Sequence, residues 1–132
     1  MSSTLAENKS VAAVPAPGRR DVGRLLEQLD QLAERSPNFL SKSLGQFSSA
    51  GQSYSLPRYI YLGPKGGGDV IRIGIFATIH GDEPEGALAL TRLVSELEQN
   101  PEIAKGYALF IYPVCNPTGF EDRTRHSRSG RD

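Results

Sequence analysis

From Asp21 onward, apolar residues recur every three or four positions, and Val22, Leu25, Leu26, Leu29, Leu32 and Ala33 fall on one face of an amphipathic helix. Asp21 is placed to cap its start and Pro37 to stop it. Between Phe39 and Ser55 the pattern dissolves into Ser, Gly and Gln with scattered Phe39, Leu40, Leu44, Phe47 and Tyr54. Such a stretch permits short edge strands without demanding them. Residues 58–62 are aromatic and β-branched, and residues 70–79 are almost wholly apolar. The Gly- and Pro-containing segment 63–69 between them predicts a hairpin whose second strand is central and buried. From Pro84 the period is helical again, with Ala87, Leu90, Val94 and Leu97 sharing a face and Asn100-Pro101 ending the run. Tyr107–Tyr112 is one more short, continuous apolar strand. The order strand, strand, helix, strand predicts an α/β sheet with a helical crossover, and no internal repeat is visible.

The two ends of the chain look different from its middle. Residues 1–20 are rich in Ser, Ala, Pro and charge, so they are expected to be a disordered lead-in to a domain over 21–132. Residues 121–132 crowd Arg123, Arg125, His126, Arg128 and Arg131 together with almost nothing apolar, which excludes them from a core. Taken alone, that tail reads as a solvated basic loop or an arm for nucleic acid. The whole chain argues against the second reading: 15 Lys and Arg balance 15 Asp and Glu, so no nucleic acid and no membrane partner is expected. A length of 132 residues suits one domain, and a hydrophobic share of 38% implies that part of the chain is unpacked. A single cysteine, Cys115, excludes an internal disulfide framework and a cysteine-only zinc cluster. It follows an apolar strand with nothing visible to lower its pKa, so it is read as a small buried hydrophobe. With no secretory signal and no run of about 20 apolar residues, the protein is expected to be soluble and cytoplasmic.

The chemistry concentrates at Ile79-His80-Gly81-Asp82-Glu83. His80 and Glu83 stand where an apolar strand ends and a helix begins, the end of an open α/β sheet at which ligands bind. Gly81 lets the backbone turn sharply, and the short spacing allows the imidazole and the carboxylate to converge on one cation. Zinc accepts this nitrogen and oxygen mixture, and a further histidine would leave a fourth position for water. His-x-x-Glu by itself is common and is usually a surface polar pair or part of a helix cap. The apolar strand directly before His80 favours a used imidazole over an idle one. Asp82 and Glu85 need no more than a complement to the helix dipole.

Three segments together carry a resemblance. His80-Gly81-Asp82-Glu83-Pro84-Glu85-Gly86, Asn116-Pro117-Thr118-Gly119-Phe120-Glu121 and Thr124-Arg125-His126-Ser127-Arg128-Ser129-Gly130-Arg131-Asp132 resemble, in order and spacing, the zinc metallocarboxypeptidases and their deacylase relatives, the aspartoacylases and succinylglutamate desuccinylases. The resemblance covers roughly residues 54–132. It implies the N-terminal portion of a three-layer α/β/α sandwich around a mixed sheet, a Zn2+ cofactor, and hydrolysis of C–N bonds in a peptide C-terminus or an N-acyl amino acid. Residue by residue, His80 and Glu83 match the first two zinc ligands. Arg125 matches the arginine that polarises the scissile carbonyl and stabilises its oxyanion, and Arg128 is a second candidate because the loop length varies. Asp132 matches the acid that orients the first ligand histidine and fixes its tautomer. His126 is read as a loop histidine.

The sequence also departs from that pattern. It stops at Asp132, before the Leu-Asn-Arg expected next, and the family's third ligand and glutamate base lie further downstream, whereas this chain has only His80 and His126. The chain is therefore expected to be a truncated portion, inactive alone, and to self-associate through an exposed sheet edge. The Pro-Glu-Gly and Gly-Phe-Glu surroundings lean toward the carboxypeptidase branch, with the deacylase branch open beside it. A non-catalytic module that retains the half-fold, holding anionic ligands with its arginine-rich tail, is the reading from outside the enzyme class.

Overall fold

The computed structural model describes residues 20–130; the expectations for residues 1–19, Arg131 and Asp132 lie outside them. Helix α1, Val22–Arg35, starts where the Asp21 carboxylate accepts from the Gly23 N–H at 2.8 Å and stops at Ser36, whose N–H donates to the Leu32 carbonyl. Leu26, Leu29 and Leu32 are buried, which is the face that the spacing predicts. The permissive stretch after it contains three short strands, β1 (Phe39–Ser41), β2 (Gln46–Ser49) and β3 (Gln52–Ser55). β2 and β3 form a separate antiparallel hairpin that turns through Ala50 and Gly51, both at positive φ. Then come β4 (Tyr59–Leu62), β5 (Ile71–Phe76), α2 (Glu85–Gln99), a 3-10 turn (Pro101–Ala104), β6 (Tyr107–Tyr112) and α3 (Pro117–Asp122).

The main sheet has the order β1-β4-β6-β5, with β4 antiparallel and β5 parallel to β6. Parallel neighbours need a crossover, and α2 supplies it, as the strand-helix-strand pattern predicts. The fold is thus mixed α/β around a mixed sheet. α1 and α2 bury their apolar stripes against the sheet, with Leu29, Phe39, Tyr59, Tyr61, Val94, Leu97 and Ile111 essentially without solvent contact. Burying each such side chain contributes about 1.5–3 kcal/mol. The Tyr61 hydroxyl donates to the Leu97 carbonyl at 3.1 Å, which ties the sheet to the last turn of α2.

The predicted hairpin between residues 58–62 and 70–79 does not form. β6 lies between β4 and β5, and β5 is neither central nor buried among the described residues: Ile71 is 53% and Phe76 59% exposed. The cause is the path of the 63–69 segment, which crosses the beginning of β6. Gly63 donates to the Tyr107 carbonyl at 2.9 Å, Gly106 to that of Pro64 at 2.7 Å, and Ile71 to that of Gly106 at 2.9 Å. A side chain at Gly63 would put its Cβ 1.9 Å from the Ala104 oxygen, so this close crossing requires glycine. The connection delivers β5 to the far side of β6. An apolar run reports that a strand can be covered but does not name its neighbours. No helix among the described residues is long and apolar enough to cross a membrane.

The outer edge of β5, unpaired among the described residues and flanked by exposed Ile71, Ile73 and Phe76, has the features by which a sheet edge would pair with a second chain. Sedimentation equilibrium is expected to reveal concentration-dependent self-association that Ile73→Lys reduces by about tenfold or more in association constant. A chain that stays monomeric at every concentration contradicts this role for the edge.

Candidate metal centre

Past their last paired residues, β5 and β6 continue side by side. Ala77 N–H donates to the Tyr112 carbonyl at 2.9 Å, Cys115 N–H to that of Ala77 at 3.0 Å, and Asn116 N–H to that of Thr78 at 3.0 Å. The two connections that leave the carboxyl end of the sheet are thereby held against each other. Thr78 bends the first of them with φ 53°, a conformation that costs a β-branched residue about 1–3 kcal/mol. Its buried hydroxyl finds no hydrogen-bond partner among the described residues. Two residues later comes His80, whose carbonyl accepts from the Glu83 N–H at 3.1 Å in the turn that precedes α2.

This turn brings the His80 Nδ1 and Glu83 Oε2 atoms to 3.4 Å. The His80 side chain is 26% exposed and that of Glu83 65%, beside an open cleft of about 640 Å³ whose walls include Phe76, Thr78 and Glu85. A separation of 3.4 Å is long for a hydrogen bond. It is close to the edge of a coordination tetrahedron, about 3.4 Å for two ligands each about 2.1 Å from zinc. The donor set, an imidazole nitrogen and a carboxylate oxygen, thus fits two positions of a zinc site. Among the described residues no third His, Cys, Asp or Glu joins them in a cluster that could hold a metal ion.

The two glycines beneath this turn fix its position. Gly81 lies so close to α3 that a Cβ on it would stand 2.0 Å from the Gly119 carbonyl carbon and 2.4 Å from the Phe120 nitrogen. A Cβ on Gly119 would strike the Asn116 side chain at 2.5 Å. Asn116, 7% exposed, joins three segments: its N–H reaches Thr78, its Oδ1 accepts from Gly119 N–H at 3.0 Å, and its Nδ2 donates to the Arg125 carbonyl at 3.1 Å. That same carbonyl accepts from Gly81 N–H at 3.1 Å. The backbone of Arg125 is therefore packed directly beside the His80 turn, while its side chain is exposed. Sequence reasoning missed Asn116 as a positioning residue, although Asn-Pro before a short helix is a legible N-cap and N1 pair.

The second arginine candidate is held elsewhere. Arg128 Nε and Nη2 donate to the Asp122 carboxylate at 2.8 and 3.0 Å, Nη2 reaches Glu121 at 3.3 Å, and Nη1 donates to the Tyr54 hydroxyl at 2.8 Å. The Asp122 carboxylate drives its pKa still further above the ordinary arginine value. These bonds strap the β2–β3 hairpin to the 123–130 loop, and the Arg128 N–H adds a bond to the Thr118 hydroxyl. His126 sits on this loop, its carbonyl accepting from Thr124 Oγ1 at 2.9 Å. The thiol of Cys115 is half-buried, and burial pushes its pKa up, which opposes a nucleophilic role. Asp132 lies outside the described residues.

The fold has counterparts among known proteins. Residues 69–132 match the family model of the succinylglutamate desuccinylase/aspartoacylase catalytic domain. A protein from Shewanella amazonensis, provisionally classed as a metallopeptidase, is 30% identical and superposes with a TM-score of 0.62 over 83% of this chain and 38% of its own. An aspartoacylase family protein from Mesorhizobium loti, at 24% identity and a TM-score of 0.53, covers 71% of this chain and 28% of its own. Bovine thrombin-activatable fibrinolysis inhibitor, solved with tick carboxypeptidase inhibitor, shares the fold at 16% identity and a TM-score of 0.51, covering 81% of this chain and 36% of its own. No curated protein matches the chain. The chain thus spans well under half the length of these structures. Over that part it carries the fold of the zinc carboxypeptidases and their desuccinylase and aspartoacylase relatives, as the three sequence segments imply.

Gly81→Ala is expected to destabilise the chain by about 3 kcal/mol or more, because backbone on both sides of the contact must move. Gly68→Ala, whose Cβ would meet nothing within 4 Å, is expected to change stability by at most about 0.5 kcal/mol. Urea denaturation of the two variants measures the difference, and equal midpoints would contradict the close approach.

Proposed function

We propose that the chain carries part of the site of a zinc-dependent hydrolase of C–N bonds, with His80 and Glu83 as two metal ligands and Arg125 as the group that steadies the oxyanion. The observation that carries this reading is the His80 Nδ1 to Glu83 Oε2 approach of 3.4 Å at the carboxyl end of the sheet, within the segment that matches the family model. When bound, zinc would act as a Lewis acid and lower the pKa of a water. The chain's own residues would do the rest. His80 and Glu83 would hold the ion, and the exposed Arg125 guanidinium would offer bidentate donors to developing negative charge. Asp132 is assigned to accept from the far ring nitrogen of His80 and fix its tautomer. Arg128 is reassigned from substrate contact to positioning, since its donors are occupied by Asp122, Glu121 and Tyr54. Among the described residues no further His, Cys, Asp or Glu stands with this pair in a group that could hold a metal ion, so a third ligand would have to come from outside them.

The match to the desuccinylase and aspartoacylase model favours an N-acyl amino acid as substrate. The likeness to the Shewanella protein provisionally classed as a metallopeptidase, higher in identity and coverage than that to the aspartoacylase family protein, favours a peptide C-terminus as the second reading. Assay of the complete gene product with an N-acyl amino acid and with a blocked dipeptide bearing a free carboxylate separates them. A cytoplasmic setting belongs to the same proposal, supported by the lone Cys115, and cell fractionation checks it.

Calorimetric titration of this chain with zinc tests the ligand assignment. Saturable binding is expected, abolished by His80→Ala and weakened about tenfold or more by Glu83→Gln. Binding unchanged in His80→Ala contradicts the assignment and leaves the non-catalytic module as the better reading.

A further inference from the structure

Away from the His80–Glu83 pair, α1, α2 and α3 converge around an open groove of about 1020 Å³. Four guanidinium-bearing residues line it, each from a different place: Arg20 before α1, Arg24 on its first turn, Arg92 on the middle of α2 and Arg123 at the end of α3. Arg20 is fixed there, since its N–H donates to the Glu121 carbonyl at 3.0 Å and its guanidinium lies over the Phe120 ring at 5.1 Å. Among the described residues only two carboxylates, Asp21 and Glu27, line the same groove, and the Asp21 carboxylate already accepts from the Gly23 N–H. None of Arg20, Arg24 and Arg92 forms an ion pair among the described residues. In a chain whose charges balance overall, this is a local excess of positive charge in a concave, partly apolar setting. Low-dielectric walls concentrate such a field, and the mutual repulsion of the cations is relieved when an anion enters.

We propose that this groove is a binding site for an oligophosphate group. Guanidinium forks match phosphate oxygens bidentately, and Arg20, Arg24 and Arg92, arriving from the segment before α1, from α1 and from α2, suit a ligand with adjacent phosphates better than a single one. Exposed Leu88, on the wall beside Arg92, offers apolar contact to whatever the phosphates are attached to. The site is independent of the metal pair, because none of its residues lines the His80 cleft.

The chain contains no tryptophan, so Leu88→Trp provides a single fluorescent reporter in the groove. Titration with inorganic pyrophosphate is expected to saturate below about 1 mM at low salt, with inorganic monophosphate at least about tenfold weaker. Adding Arg24→Ala and Arg92→Ala, both exposed and compatible with folding, is expected to weaken pyrophosphate about tenfold or more. Lys65→Ala with Arg72→Ala, which removes two exposed cations elsewhere, is expected to change it less than about twofold. His80→Ala is expected to leave it unchanged, which separates this site from the metal centre. Calorimetry on the unsubstituted chain checks that the reporter does not create the site, and thermal melts check that each variant is folded. No saturation, monophosphate binding as tightly as pyrophosphate, or equal losses in the two double variants would overturn the proposal.

Discussion

Two backbones meet without side chains between them where Gly81 presses on Gly119, and the candidate site depends on that contact. It sets the His80 turn against the start of α3, and the contact distances leave no room for a methyl group on either glycine. Asn116 converts the contact into a fixed geometry, because one side chain caps α3, holds the Arg125 carbonyl and belongs to a residue whose N–H is bonded to Thr78. The connection after β5 at Thr78, the start of α3 and the loop at Arg125 thereby share one set of hydrogen bonds. The strain at Thr78 is tolerated because the neighbouring connections over-determine its backbone.

The same arrangement separates the roles of the cations. Arg128 is immobilised by two carboxylates and a phenol and braces the β2–β3 hairpin, so its charge is neutralised where it stands. Arg125 contributes its carbonyl to the packing and keeps its side chain exposed, where a substrate could meet it. Arg20, Arg24 and Arg92 serve neither purpose and gather on the helical side. Arg123, Arg125 and Arg128 thus do not form one basic patch, since each has different surroundings.

What could be read from the sequence was local. α1 and α2 follow from apolar spacing at three and four, β6 from a continuous apolar run, and the crossover from their order. The place of His80 and Glu83 at a strand-to-helix junction was legible for the same reason, with Gly81 as the cue to a tight turn. The strand neighbours were not legible. A turn rich in Gly and Pro between 58–62 and 70–79 looks like a hairpin unless one knows that Gly63 and Gly106 cross at the start of β6. That crossing is a long-range contact with no periodic signature. The preference for Arg125 over Arg128 rested on family spacing alone, and the reason Arg128 is occupied, Tyr54 and Asp122 meeting over it, joins residues 74 and 6 positions away.

The most direct test of the account is a crystal structure of the chain grown with zinc, read by anomalous scattering at the zinc edge. The account predicts a peak between the His80 imidazole and the Glu83 carboxylate, about 2.0–2.2 Å from His80 Nδ1 and a Glu83 oxygen, with Gly81 still against Gly119. A peak at His126 or Cys115 with none at His80, or a His80 turn that has separated from α3, would contradict it.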